Sequence, residues 1–376
     1  MFYFTIFIIS AFIFKHAQDA YDCDNKILFY MLSYISIIWL SFWAGCRDIS
    51  IGTDTLIYGL DVYTDANKSI TPLSDAFEDI TWIEPLFFLL NKLASYFGGF
   101  GFALFLIMFV QLAFAFHGLK FYIKKVPIWL SMLAYVLLFY NITLNLMRQG
   151  IAIAFVLFCC KYVEERKLHL LIIMSIAGFF WHKTSAVAFL FLLFLYFFYS
   201  RNEKSQIILL IASIPIVLIG VMYFLVMLDY LIDVFEILYH YDNYGGENEM
   251  MEASLSTIEI GSRFLMILLV ASLWSFKILP NSYFYIFYLL MLFDLSCKFM
   301  GIYTYNVTRL SYYFMALEIP YLFMILNAKI ISEDRRMIMN SVILLSFMFM
   351  VFWLNFLKGD GETYPYVSDI LSLTLY

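Results

Sequence analysis

Long apolar runs, each closed by a charged or turn-forming cluster, recur along the whole chain. They predict helices near 2–14, 27–46, 100–119, 127–145, 147–163, 168–182, 184–200, 206–228, 261–276, 282–299, 309–327 and 338–357, since roughly 20 apolar residues in helical form cross the hydrocarbon core of a bilayer. The runs are continuous and do not alternate at period two, which disfavours a membrane β-barrel. The segment Ile83–Phe97 is apolar too, but Glu84-Pro85 opens it and Gly98-Gly99 closes it. It reads as a half-helix or a helix lying on the membrane surface. The pattern therefore predicts an all-α, polytopic membrane protein of about 12 transmembrane helices, a single integral membrane domain over 1–376.

Composition strengthens this picture. Hydrophobic residues make up 64% of the chain and charged residues only 14%, against about 25% charged in soluble domains. Such a chain cannot cover itself with polar groups, so the lipid bilayer is its solvent. The apolar Met1–Phe14 stretch has no basic leader and no small-residue cleavage site, so it is not expected to be a removable signal peptide. The five cysteines form no CxxC pair, and Cys159 and Cys160 lie inside an apolar run, where they act as small hydrophobes. A net charge of -6 argues against a nucleic-acid partner.

Charge along the loops sets the orientation. Lys15/Lys26, Lys120/Lys124/Lys125, Lys161/Arg166/Lys167, Arg201/Lys204, Lys277 and Lys329/Arg335/Arg336 fall in alternate connections, which the positive-inside rule makes cytoplasmic. The other connections are two modest acidic loops, about 47–83 and 229–260, together with a tail over about 358–376. The first loop carries Asp48, Asp54, Asp61, Asp65, Asp75, Glu78 and Asp79, and the second Asp233, Glu236, Asp242, Glu247, Glu249 and Glu252. The alternation holds only if Ile83–Phe97 does not cross.

Against that background the basic residues at outer helix ends are exceptions. Arg47, Arg148, Arg263 and Arg309 each stand at the outward end of a different span. Guanidinium stays protonated and binds phosphate oxygens in bidentate fashion, so the four would suit a pyrophosphate at headgroup level. Each alone is also explained by snorkelling to lipid phosphate or by a local acid. His182, next to Trp181 and Lys183, is the side chain best suited to move a proton near neutral pH, though a histidine at a helix end is also an ordinary cap. His16, His117 and His169 fall on the cytoplasmic side and His240 in an acidic loop. Glu84 precedes a proline, which suits either a helix start or a general base. Asp54, Tyr58, Asp61 and Asp65 recur on one helical face; Asp61 and Asp65 read as solvated, and Asp54, close behind Gly52, as the better candidate for chemistry. Deeper in the membrane, Asp294 and Lys298 are spaced i, i+4, which suits a local ion pair as well as a substrate path, and Glu318 lies mid-span before Pro320. No metal-binding spacing, Walker A or GxGxxG pattern occurs, so no metal or cofactor is expected.

Several short patterns appear in one order: Arg47 followed by Gly52-Thr53-Asp54 and Tyr58; Glu84 opening a segment with Leu89, Leu90 and Asn91; Arg148-Gln149-Gly150-Ile151-Ala152; Phe180-Trp181-His182-Lys183-Thr184-Ser185; Arg309-Leu310-Ser311-Tyr312-Tyr313-Phe314; and Tyr364-Pro365-Tyr366. In this the chain resembles the EpsG-like branch of the Wzy-type polysaccharide polymerases, with Trp181 departing from the usual "FHxS" element. The resemblance implies a metal-independent glycosyltransferase with a GT-C-like fold in the bacterial inner membrane, joining undecaprenyl-pyrophosphate-linked oligosaccharide repeat units on the periplasmic face. It further implies that Arg47, Arg148, Arg263, Arg309, Gln149 and Tyr58 bind the pyrophosphate-linked substrate, and that His182, Glu84 or Asp54, in that order of preference, takes the acceptor proton. A flippase and a chain-length regulator protein are the implied protein partners. The competing readings are an O-antigen ligase, which usually has one much larger outer loop, and a flippase for the same lipid, which tends to place ionisable groups at the bilayer midplane.

Overall fold

The computed structural model describes residues 2–78, 83–199, 201–213, 257–274, 280–300 and 305–376. Helices over Phe2–Asp22 (α1) and Lys26–Gly45 (α2) form a hairpin whose turn is fixed by the Asn25 side chain, which accepts from the Leu28 N–H. In lipid there is no hydrophobic drive between helices, so small and polar contacts hold them. Here Ser10 and Ser36 hydroxyls meet at 2.7 Å and Trp39 Nε1 donates to the Ile6 carbonyl at 3.2 Å. The predicted first span thus runs on to Asp22, eight residues past its expected end.

After α2 come a π-helical turn, Thr55–Gly59, and the short helices Leu60–Lys68 (α3), Pro72–Glu78 (α4) and Pro85–Ser95 (α5). With 11 residues, α5 is roughly 16 Å long, about half the hydrocarbon thickness. It is too short to span. Five helices follow: Phe100–Lys120 (α6), Ile128–Asn145 (α7), Met147–Glu164 (α8), Leu168–Trp181 (α9) and Ser185–Tyr199 (α10). Beyond these are Thr257–Trp274 (α11), Asn281–Met300 (α12), Tyr305–Leu326 (α13) and Glu333–Val351 (α14), the last continued by a π-helical turn to Leu357. Residues 203–213 are helical as well; the rest of the predicted 206–228 span and most of the acidic 229–260 loop lie outside the described residues. Six of the described helices (α2, α6, α7, α11, α12 and the stretch from α14 to Leu357) are long and apolar enough to cross a membrane. This is an all-α, multi-pass membrane protein.

The α7–α8 hairpin is the core. Along α8, Ile151, Ala152, Ile153, Ala154, Val156, Leu157, Cys159 and Cys160 are all fully buried, enclosed by α6, α9, α10 and α13. Gly118 makes the α6–α8 approach possible, because a β-carbon there would come within 2.9 Å of the Leu157 carbonyl. A single residue, Leu146, separates α7 from α8, so Arg148 and Gln149 emerge at the tip of this hairpin.

The basic connections collect at one end of the bundle. Lys125 Nζ donates to the Tyr283 hydroxyl at 2.7 Å, Lys120 to Tyr30, Arg166 to the Tyr196 carbonyl, and Gln18 accepts from the Ile128 N–H at 2.8 Å. At the other end, where α2, α7 and α9 finish and α6, α8, α10 and α13 begin, the C-terminal segment folds back. Its hairpin pairs Tyr366–Ser368 (β1) with Leu373–Leu375 (β2). The Tyr3 hydroxyl donates to the Thr363 carbonyl and the Asp48 N–H to the Val367 carbonyl, both at 2.8 Å. The tail therefore straps the loop that follows α2.

Candidate functional site

Three elements that end or begin at the strapped end meet on one carboxylate. Pro85 at the first position of α5 holds Glu84 extended just ahead of the helix, and the Glu84 side chain forms no cap bond with that helix. It turns instead toward α8 and the α9–α10 turn. Arg148, in the first turn of α8, donates to Glu84 Oε2 at 2.8 Å, and His182 Nδ1 lies 2.6 Å from Glu84 Oε1. The Lys183 N–H also reaches Oε1 at 3.3 Å. His182 is placed by the break between α9 and α10, where its carbonyl accepts from the Ser185 N–H. Glu84 is 1% exposed. Burial alone would raise its pKa, but the charges of and hydrogen bonds from His182 and Arg148 outweigh that and hold it well below the usual carboxylate range. An ionised carboxylate only accepts, so Nδ1 carries the proton of this bond and Nε2 is the ring nitrogen that Glu84 leaves free.

A second layer surrounds this triad. The Arg148 guanidinium lies 4.3 Å from the centre of the Tyr58 ring, a cation–π stack. The Tyr58 hydroxyl is bonded to Asp54, a carboxylate that also senses Arg309, Arg148 and His182. Burial nevertheless leaves Asp54 above the ordinary carboxylate range. The π-turn after Asp54 breaks the regular helical register. Asp54 and Tyr58 consequently face the site, while Asp61 and Asp65 are exposed, separating residues that the sequence placed on one face. Gln149 Nε2 donates to the Arg309 carbonyl at 2.8 Å, and the Thr184 and Tyr313 hydroxyls meet at 3.0 Å. These two bonds tie α13, which carries Arg309, to α8 and to the α9–α10 turn.

The remaining two arginines sit differently. Arg47 is 5% exposed, and its guanidinium donates to the Leu144 carbonyl at 2.9 Å, to Thr55 Oγ1 at 3.3 Å and to Met147 Sδ at 3.5 Å. It thus clasps the α7–α8 turn behind Arg148. Burial draws its pKa down to about 10, still protonated at neutral pH. Arg263 on α11 is bonded to Asp294 of α12 and to the Glu259 carbonyl, in a cluster of its own. The local Asp294–Lys298 pair suggested by spacing does not form; Lys298 donates to Glu259 at 2.8 Å, because both partners find oppositely charged groups across the helix interface.

One residue had no signal in the sequence. Asn145, the last residue of α7, accepts through Oδ1 from the Thr53 hydroxyl at 2.9 Å and from the Asp54 N–H at 2.8 Å. An asparagine at a helix end is common, and only the fold shows what it holds. Among the described residues, no group of three or more His, Cys, Asp or Glu side chains is placed to hold a metal ion.

No curated protein and no solved structure matches the chain. The model of the EpsG family matches residues 30–368, from within α2 to the end of β1, and so takes in every segment that builds the Glu84 cluster: the chain belongs to the EpsG family.

Proposed function

We propose that this chain is a membrane glycosyltransferase that polymerises undecaprenyl-pyrophosphate-linked oligosaccharide repeat units, an O-antigen or exopolysaccharide polymerase of GT-C type. Family membership supports a polysaccharide polymerase role in general. The observation that carries the finer reading is Glu84 bridging Arg148 and His182 at the end of the bundle away from the basic turns. In this reading α1, α8, α9, α10, α13 and the predicted 206–228 span also cross, giving about 12 spans. The Glu84 end then faces the periplasm from the inner membrane.

The chemistry follows from the arrangement. A hydroxyl of the acceptor sugar attacks the anomeric carbon of the donor chain, the bond to pyrophosphate breaks, and the hydroxyl proton must leave. His182 Nε2 takes that proton, and Glu84 fixes the tautomer and the ring orientation as a buried carboxylate does in hydrolytic triads. Glu84, with both oxygens bonded, is an orienting group and not the base. Asp54 is the second candidate base. Arg148, fixed by a carboxylate on one side and the Tyr58 ring on the other, stabilises charge on the departing pyrophosphate together with Arg309. Arg47 and Asn145 act one step behind, holding the Asp54–Tyr58 turn against the tip that carries Arg148.

The test is polymerisation of a defined lipid-linked repeat unit by the purified protein, with and without chelator. Arg148→Ala and Arg309→Ala should each leave the protein in the membrane and stop growth at one repeat unit. Polymer of wild-type length from both variants would remove the pyrophosphate clamp.

A further inference from the structure

The ionic groups of α11, α12 and α13 form a second buried cluster, which the polymerase reading does not use. Arg263 is engaged by Asp294, by the Glu259 carbonyl at 3.0 Å and by Met315 Sδ at 3.2 Å. Lys298 donates to Glu259 Oε1 at 2.8 Å and stands over the Tyr312 ring. Each cation therefore has one carboxylate. Glu318 on α13 is a third acid, 2% exposed, and neither of its oxygens has a hydrogen-bond partner. Its side chain lines a narrow cavity shared with Arg263 and Ser262, whose other walls, Leu138 of α7 and Phe347 and Met350 of α14, bring no charge.

Glu259 faces both Lys298 and the exposed Lys358 beyond the π-helical turn that follows α14, whereas Arg263, Asp294 and Glu318 are at most 2% exposed, two acids around one cation. An ionised carboxylate without a partner is strongly disfavoured in such surroundings. Asp294 and Glu259 are each within hydrogen-bond distance of a cation, so Glu318, with neither oxygen bonded, is the carboxylate left without one. We propose that the cluster binds a proton at Glu318, which sits among the helices as a neutral carboxylic acid while Asp294 and Glu259 remain ionised. The site is independent of the polymerase reading. It also has a built-in exchange: Glu318 shares its cavity with Arg263, so loss of the Asp294 charge lets Glu318 release the proton and take over that cation.

Infrared spectroscopy on the purified full-length chain in lipid nanodiscs at neutral pH reads this directly. Wild type should show the carbonyl stretch of a protonated carboxylic acid, shifted on exchange into D2O. Glu318→Gln should lose that band and keep its thermal midpoint, since an amide mimics the neutral acid. Asp294→Asn should lose it too, although Glu318 is still present. Absence of the band in wild type, or a band unchanged in both variants, overturns the proposal. Should Glu318→Gln not accumulate, Glu318→Asp takes its place: the band must then move, and an unmoved band is equally fatal.

Discussion

Replacing Glu84 by glutamine tests the centre of the site with the least change in shape. The amide has the same volume, but it removes the charge that faces Arg148 and His182 and puts an N–H donor where only acceptors are tolerated. Breaking a fully buried ion pair by removing one partner costs roughly 3–5 kcal/mol. Arg148 is 15% exposed and His182 10%, so both can recover some hydration and the expected loss of stability is about 3 kcal/mol. Catalysis should suffer more than stability. Without the carboxylate, His182 loses both its tautomer and its orientation, which is worth about 10²–10⁴ in rate for a positioned general base. The assay is the length ladder from a defined lipid-linked repeat unit, run beside thermal unfolding of the same preparation. Glu84→Gln with wild-type turnover would refute the dyad, whatever happened to stability. pH offers a second check. Because the folded-state pKa of Glu84 is depressed, its contribution is complete above the unfolded value, about pH 4.3, and is lost as pH falls toward the folded one. Wild type should therefore lose stability on acidification, and Glu84→Gln should lose less of it over that range.

His182→Ala should lower turnover by at least about 100-fold with little effect on substrate affinity; near-normal turnover would move the base to Asp54. Asn145→Ala should reduce turnover by leaving the Asp54 N–H and the Thr53 hydroxyl without their acceptor, whereas Asn145→Asp, which keeps the accepting oxygen, should recover part of it; equal activity in wild type and Asn145→Ala would show that the turn holds itself. Gly52 has φ +84° and a β-carbon there would lie 2.9 Å from the Leu144 carbonyl, so Gly52→Val should cost roughly 1–3 kcal/mol from backbone strain alone, read as a lower thermal midpoint.

Hydrophobic period and loop charge made the membrane architecture legible, because lipid obliges every backbone polar group to be satisfied within a helix. The boundaries of α6, α7 and α8 follow the apolar runs closely for this reason, and the Glu84-Pro85 and Gly98-Gly99 punctuation marks off α5. α1 runs on past Lys15 and His16, where its apolar run ends, to Asp22, because long side chains at a helix end can reach the interface. The candidate site was visible as a set of residue types at outer helix ends. Their partnerships were not.

What the sequence determined by itself is therefore the solvent of this chain, its helical class and its family, all of which depend on local composition and ordered short motifs. Tertiary structure alone decided that Glu84 turns away from its own helix to join Arg148 and His182, that Arg47 and Asn145 brace the α7–α8 tip, and that Arg263 belongs with Asp294. The reason is physical. A charged group in a low-dielectric interior pairs with whatever opposite charge or acceptor the packed helices bring within about 3 Å, and those partners come from segments up to about a hundred residues away, whose approach no local pattern records.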